Sequence, residues 1–433
     1  MDDPINDEDL IDEIVHENIN QSKNKKTKII IISSYVLLGL TIIGLLSFFL
    51  IKIFKEEKVD EKLIIVNKSS WIYFGEIIKD IPYDKNGTIE NTFRKDGINY
   101  NKEIIDINNN ENYTKNGKNF FDLYIPNNYL LDEEKNKNVN IILFLHGGAW
   151  IKGDKSEMEY LARIYAEMGY ITASMSYTLL IPYYSNYNIF RIIDEITYCI
   201  DGIKNKLIEY GFKKEKLSLG IVGYSAGAHL ALLYTYLIPK NLFPIDIKFT
   251  INVSGPISLN PKDFYEIADK AKPFENINIT SEEVEKAINE KKFIRIINLN
   301  DTNLLLLMNQ FYGGKYSQEQ CRKMINNETN EINKDDEEFK KLYNIVKNAF
   351  PVDIVDKNKI PVLCAYGGLD NVVGVVQFPH LNEKAIEDNK PIELYYSINS
   401  THDFFNTEKK SSFEGIKNFH PTFLKYVRKY FGE

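Results

Sequence analysis

KLSLGIVGYSAGAHLALLYTYLI, residues 216–238, joins two kinds of local structure at a single turn. The apolar run through Gly223 reads as a strand, and AHLALLYTYLI (228–238) reads as a helix stopped by Pro239. Between them GYSAG, 223–227, is a GxSxG. Alone, that pattern is weak; with an apolar strand leading in and an apolar helix leading out, it is the strand–turn–helix elbow that presents a serine hydroxyl. A side chain at 223 or 227 would crowd the strand or helix beside a strained Ser225. The turn also sets Ser225 at a helix N-terminus, whose partial positive charge favours a developing anion.

A serine hydroxyl is a poor nucleophile until a base takes its proton. The base should be a histidine oriented by a carboxylate, each just past the carboxyl end of a later strand. PVLCAYGGLD (361–370) places Asp370 in such a loop, and IELYYSIN (392–399) followed by THDFF places His402 in the next. His402 is then the expected base and Asp370 its orienting acid. His380 competes as base and Asp403 as acid. His229, one helical turn past Ser225, reads as packed under the elbow. His146 reads as a brace for its own loop, and His16 and His420 have no supporting context.

HGGAW, 146–150, ends the apolar run NIILFLHGG (140–148). Glycines let backbone approach closely, and backbone N–H groups aimed at an oxyanion stabilise it. The expected donors are Gly147, Gly148 and Ala149, with Ala226 after the serine.

Outward from these motifs, strands and helices alternate. NFFDLYIP (119–126), YITASMSY (170–177) and FTINVSGP (249–256) read as further strands. FRIIDEITYCIDGIKNKLIEYG (190–211) has helical period and a glycine stop, and FHPTFLKYVRKYF (419–431) closes the chain as a helix. Such alternation predicts an α/β domain over 116–433, with a mostly parallel sheet covered by helices on both faces. The charged, mainly helical stretch from 257 to 350 interrupts it and reads as an inserted cap. Within the cap, LLLLM (304–308) is expected to be a buried helix face, with an acyl pocket as the alternative. Residues 52–115, polar and rich in Asn and Lys, read as an irregular linker with some edge structure, with a stalk, an interfacial helix or N-terminal strands as the alternatives.

Near the N-terminus, IIIISSYVLLGLTIIGLLSFFLI (29–51) is a run of 23 residues without a charge. It would rise roughly 35 Å as a helix and exits into lysines, not small residues, so it reads as an uncleaved single-pass transmembrane helix. Four lysines on each side leave the positive-inside count tied. The simpler topology keeps the short tail, 1–28, cytoplasmic and the large domain outside.

The tail holds eight acids and four lysines, so half of the formal charge of −8 lies there and the remainder is nearly balanced. No basic stripe survives, which argues against nucleic acid as a partner. Three scattered cysteines exclude a disulfide scaffold and a CxxC zinc site, and six dispersed histidines form no HExxH. No cofactor or metal is implied.

The chain resembles the α/β-hydrolases of the esterase/lipase superfamily. The likeness is greatest to the branch with an HGGxW loop, a GDK sequence (Gly153, Asp154, Lys155) and SAGAHLA after the elbow (225–231). That branch includes carboxylesterases, feruloyl and acetyl-xylan esterase-like enzymes, kynurenine formamidase-like enzymes and prenylcysteine methylesterase-like proteins. The chain order Ser225, Asp370, His402 is the order of this fold. The resemblance, which covers about 116–433, implies an α/β-hydrolase fold and a serine hydrolase of small carboxylic esters acting through an acyl-enzyme; the N-terminal anchor read from 29–51 lies outside it. Amide or formamide cleavage is the neighbouring alternative, and a non-catalytic surface binding protein is the rival from another class. Ala149 stands where hormone-sensitive-lipase-like proteins carry a third glycine, and Phe350-Pro351 where many relatives have Ser-Pro.

Overall fold

The computed structural model describes residues 75–83, 91–95, 99–103, 119–130, 137–181, 187–258, 263–268, 271–272, 274–275, 280–295, 301–354, 359–387, 392–403 and 412–433. The chain divides into two units, Met1–Ser70 and Trp71–Glu433. The acidic tail (1–28) and the expected transmembrane helix (29–51) lie outside the described residues, and no helix among those described is long and apolar enough to cross a membrane.

Eight strands make the sheet: β1 (Gly75–Pro82), β2 (Phe120–Pro126), β3 (Val139–Leu145), β4 (Ile171–Met175), β5 (Leu217–Tyr224), β6 (Asp246–Val253), β7 (Val362–Gly367) and β8 (Ile392–Ser397). Their order is β1-β2-β4-β3-β5-β6-β7-β8. β2 is antiparallel to both β1 and β4, and the other five pairings are parallel. The mostly parallel sheet of an α/β-hydrolase is therefore present. β3 and β5 are apolar apart from Asn140 and Ser218 near their starts, because parallel strands are buried on both faces.

Side chains alternate along a strand, so each strand feeds two cores. Ile141, Leu143 and Leu145 of β3 enter one with α2 (Ile189–Glu209) and α3 (Ala226–Leu237). Ile142 and Phe144 enter the other with α1 (Glu159–Glu167) and the described part of α9 (Ser412–Phe431). Helices cover both faces, as expected from the alternating sequence.

Between β6 and β7 lie α4 (Ser281–Asn289), α5 (Asp301–Phe311), α6 (Gln318–Lys323), α7 (Glu337–Val346) and a ribbon of Tyr265–Ile267 with Phe293–Arg295. α8 (Phe378–Glu387) follows β7. Thr280 with Glu283 and Ser317 with Gln320 form capping boxes that start α4 and α6. Leu304, Leu305, Met308 and Phe311 are at most 2% exposed and continuous with the first core. LLLLM is thus a packed helix face.

Two boundaries differ from the sequence reading. The sheet starts at Gly75, inside the 52–115 stretch, and Asn91–Lys95 pairs with Asn99–Glu103 there as well. β1 hides from a periodicity search because its pairing is irregular between Ile78 and Ile81, around Asp80 at φ 57°. α3 starts at Ala226, not 228, because the whole reversal of direction is made at Ser225.

Register aligns the carboxyl ends. Leu145 of β3 pairs with Gly223 of β5, which pairs with Asn252 of β6, and Gly367 of β7 pairs with Ser397 of β8. The segments after these five strands therefore emerge along one rim.

Candidate active site

Ser225 occupies φ 52°, ψ −119° between β5 and α3. A side chain there is strained, and such strain persists only when its surroundings fix it. They do: Ser225 N donates to Val253 O at 2.8 Å, and Ala228 N and His229 N donate to Ser225 O at 3.0 and 3.1 Å. The flanking glycines are required by contact. A Cβ on Gly223 would stand 2.2 Å from Gly227 O, and one on Gly227 would stand 2.3 Å from the carbonyl oxygens of Leu145 and His146. Strand, helix and the HGGAW loop are thus pressed together at backbone distance.

His402 Nε2 lies 2.9 Å from Ser225 Oγ, and His402 Nδ1 lies 2.8 Å from Asp370 Oδ2. Asp370 is buried, and its Oδ1 accepts from Val372 N at 2.8 Å and Val373 N at 3.0 Å. With both backbone donors on one oxygen, the other is directed at the imidazole. Nδ1 therefore carries the proton and Nε2 offers its lone pair to the serine hydroxyl. The segment bearing His402 is tied down by Leu369 N to Ser400 O at 3.0 Å and by Ser397 Oγ against Ser400 Oγ at 2.6 Å.

The loop after β3 carries three consecutive positive φ angles: Gly148 at 103°, Ala149 at 50° and Trp150 at 63°. Its carbonyls are engaged by the protein. Tyr177 donates its hydroxyl to His146 O at 2.8 Å and Gly147 O at 3.2 Å, and His146 Nδ1–H donates to Gly147 O at 2.7 Å. Gly148 O accepts from Ile151 N and Lys152 N, and Trp150 O accepts from Leu180 N at 2.7 Å. In a trans peptide the N–H points opposite to the preceding carbonyl, and no described bond is cis. The N–H groups of Gly147, Gly148 and Ala149 consequently face away from those partners. A Cβ on Gly147 would stand 3.3 Å from the Ser225 Cβ, so the loop passes directly beside the serine. Ala226 is the first residue of α3, where N–H groups are free of intrahelical partners.

The remaining described histidines stand elsewhere. His146 stacks on Tyr177 at 4.1 Å and 4°, bracing its loop. His229 is fully buried and donates Nε2–H to Ala349 O at 2.8 Å. His380 pairs with Asp263 at 3.3 Å, and His420 Nδ1 meets the Tyr165 hydroxyl at 2.8 Å. Asp403 accepts from the Thr401 hydroxyl. Among the described residues no group of three His, Cys, Asp or Glu is placed to hold a metal ion.

Several supporting residues escape the sequence reading. Tyr177 reads there only as the end of a strand, yet its hydroxyl orients two loop carbonyls. Thr178 beside it gives its N–H and hydroxyl to Glu195 at 2.8 and 2.5 Å, and Arg191 Nε closes the buried ion pair at 2.9 Å. Trp150 packs edge-on against His229 at 5.1 Å and Phe311 at 5.0 Å, which joins loop, elbow helix and inserted α5. Of these, only Arg191 and Glu195, as opposite charges four apart on an apolar helix, leave a trace in the sequence.

The BD-FAE family model matches residues 121–385, more than half of the chain. Over 119 residues, 28% of this chain and 25% of the relative, the sequence is 31% identical to a "Probable isoprenylcysteine alpha-carbonyl methylesterase" of Oryza sativa subsp. japonica. This chain thus spans about a quarter of the length of the curated relative it matches. Among solved structures, it is similar to a truncated carbohydrate esterase from gut microbiota, with 12% identity, 83% of this chain and 98% of that chain covered, and a TM-score of 0.49. It is also similar to esterase B of Lactobacillus rhamnosis, with 15% identity, coverage of 72% and 82%, and a TM-score of 0.43.

Proposed function

The chain belongs to the BD-FAE family, an esterase-like branch of the α/β-hydrolases, and from that premise we propose that it is a serine hydrolase cleaving carboxylic esters. The observation that carries the reading is the unbroken hydrogen-bonded relay Asp370–His402–Ser225, at 2.8 and 2.9 Å. Ser225 Oγ attacks the ester carbonyl carbon as its proton passes to His402 Nε2. The tetrahedral oxyanion accepts from the N–H groups of Gly147, Gly148, Ala149 and Ala226. Collapse expels the alcohol, protonated by His402, and leaves acyl-Ser225. Water, deprotonated by His402, then attacks the acyl carbon and frees the acid. Throughout, Asp370 holds the Nδ1–H tautomer and stabilises the imidazolium. The serine's place at the start of α3 adds the positive end of the helix dipole to the same side.

Residues 29–51 belong to the proposal as a single membrane anchor with the hydrolase domain outside, supported by their uncharged length. Alkaline carbonate extraction and protease protection of intact cells test that part. The chemistry is tested by a fluorophosphonate probe with p-nitrophenyl acetate. Labelling and turnover by the wild type, both lost in Ser225→Ala, are expected. A folded wild type that neither reacts nor turns over would overturn the reading in favour of a surface binding protein.

A further inference from the structure

The residue before the serine touches both the proposed base and the HGGAW loop. Tyr224 donates its hydroxyl to the backbone carbonyl of His402 at 3.2 Å. Its ring lies 5.5 Å from the His402 imidazole, tilted by 42°. The same ring limits the loop after β3, since a Cβ on Gly147 would stand 3.0 Å from Tyr224 Cδ1. One side chain, rooted next to Ser225 at the end of β5, therefore reaches the histidine's backbone, its ring and the HGGAW loop.

We propose that Tyr224 is a positioning residue that sets the height of His402 over Ser225 by holding the histidine's own carbonyl. The proposal rests on the reading of Ser225, His402 and Asp370 as catalytic. Its physical basis is leverage. Asp370 fixes the imidazole by its Nδ1 edge, and a ring held at one edge can still pivot about that bond. Anchoring the backbone carbonyl of the same residue removes the pivot. Proton transfer is sensitive to such displacement, where a shift of about 1 Å costs on the order of 100-fold in rate. The hydroxyl is suited to act as a permanent donor: burial, reinforced by the carboxylates of Asp403, Asp370 and Glu157, pushes the phenol far above its ordinary range. It plays no part in proton transfer itself. Because Tyr224 is the chain neighbour of Ser225, nucleophile and base are referenced to the same short piece of backbone.

Tyr224→Phe removes only the hydroxyl and keeps the ring, and it is compared with wild type in the full-length chain. Two readouts are taken: steady-state kinetics on p-nitrophenyl acetate, and the low-field proton resonance of His402 Nδ1–H in histidine-labelled protein, assigned by its absence in His402→Ala. A kcat lower on the order of 10-fold, with KM within about twofold, and a broadened or shifted resonance are expected. An unchanged resonance, or a kcat equal to wild type, overturns the proposal. If wild type turns over no ester, the esterase reading fails separately, and the resonance still decides whether Tyr224 positions His402.

Discussion

Ser225 Oγ and His402 Nε2 stand 2.9 Å apart although 177 residues separate them along the chain. Parallel strands make this possible, because every crossover returns the chain to the same rim. Asp370 emerges after β7 and His402 after β8, and their strands pair in register. The hydrogen-bonded contact is therefore a property of sheet order, and it is open to direct test by substitution.

His402→Ala is expected to lower kcat on p-nitrophenyl acetate by about 10³–10⁴-fold, and Asp370→Asn by a comparable factor. Asp370→Asn keeps an oxygen for Val372 N and Val373 N but can turn an amide N–H toward Nδ1, which favours the wrong imidazole tautomer. Its melting temperature should therefore stay close to that of wild type. His380→Ala, whose partner is Asp263, should keep most of the activity. Near-normal turnover by His402→Ala would remove it as the base.

The elbow glycines make a stability prediction that activity assays cannot. Gly227→Ala places a methyl 2.3 Å from the Leu145 and His146 carbonyl oxygens, which are backbone atoms with nowhere to move. A loss of several kcal/mol in urea unfolding, or failure to accumulate folded protein, is expected. Gly169→Ala is the contrast. Unlike the helical Gly227 it has φ near 100°, but nothing lies within 4 Å of the added methyl, so only the cost of a left-handed alanine, about 1 kcal/mol, should appear. Equal costs at both sites would mean that contact is not what selects glycine at 227.

Tyr177→Phe tests how the loop after β3 is held. The fully buried hydroxyl serves two carbonyls at once, those of His146 and Gly147. Its loss should cost about 1–2 kcal/mol of stability. The freed peptides should also lower kcat on the order of 10-fold with little change in KM, since the donors act on charge that develops only in the transition state. A loss of stability with no change in kcat would separate the loop's folding from its function.

Much of this site was legible in the sequence because its determinants are local. GYSAG and HGGAW each specify a turn whose backbone geometry permits few residue types, and Asp370 and His402 follow strands recognisable by their apolar runs. What was not legible is contact between distant surfaces. Tyr177, Tyr224 and Trp150 act through a hydroxyl or a ring placed by tertiary packing, and no spacing rule marks them. β1 was obscured for a related reason. It is an edge strand whose irregular pairing breaks the period-two signal, so its membership of the sheet depends on β2 and not on its own pattern. The buried face of α5 lies between these extremes: its apolar run was plain, but which surface it covers is set by packing onto the first core.

His229 supplies a pH dependence of stability that is independent of turnover. It is fully buried, its Nε2–H is given to Ala349 O, and its Nδ1 has no hydrogen-bond partner among the described residues. A proton added at Nδ1 would be a charge without an acceptor, and burial pulls the imidazole from 6.5 down to about 4. The unfolded chain takes that proton near its ordinary value, so between roughly pH 6.5 and 4 the unfolded state binds more protons than the folded one. Stability from this residue is thus fully present above that window and is lost as pH falls through it. The loss amounts to about 2–3 kcal/mol by pH 4.5. His229→Gln keeps an N–H donor and removes the titration. The difference in unfolding free energy between pH 7 and pH 4.5 should shrink by about that amount relative to wild type. If the two proteins lose stability in parallel on acidification, the buried neutral imidazole is not the group responsible.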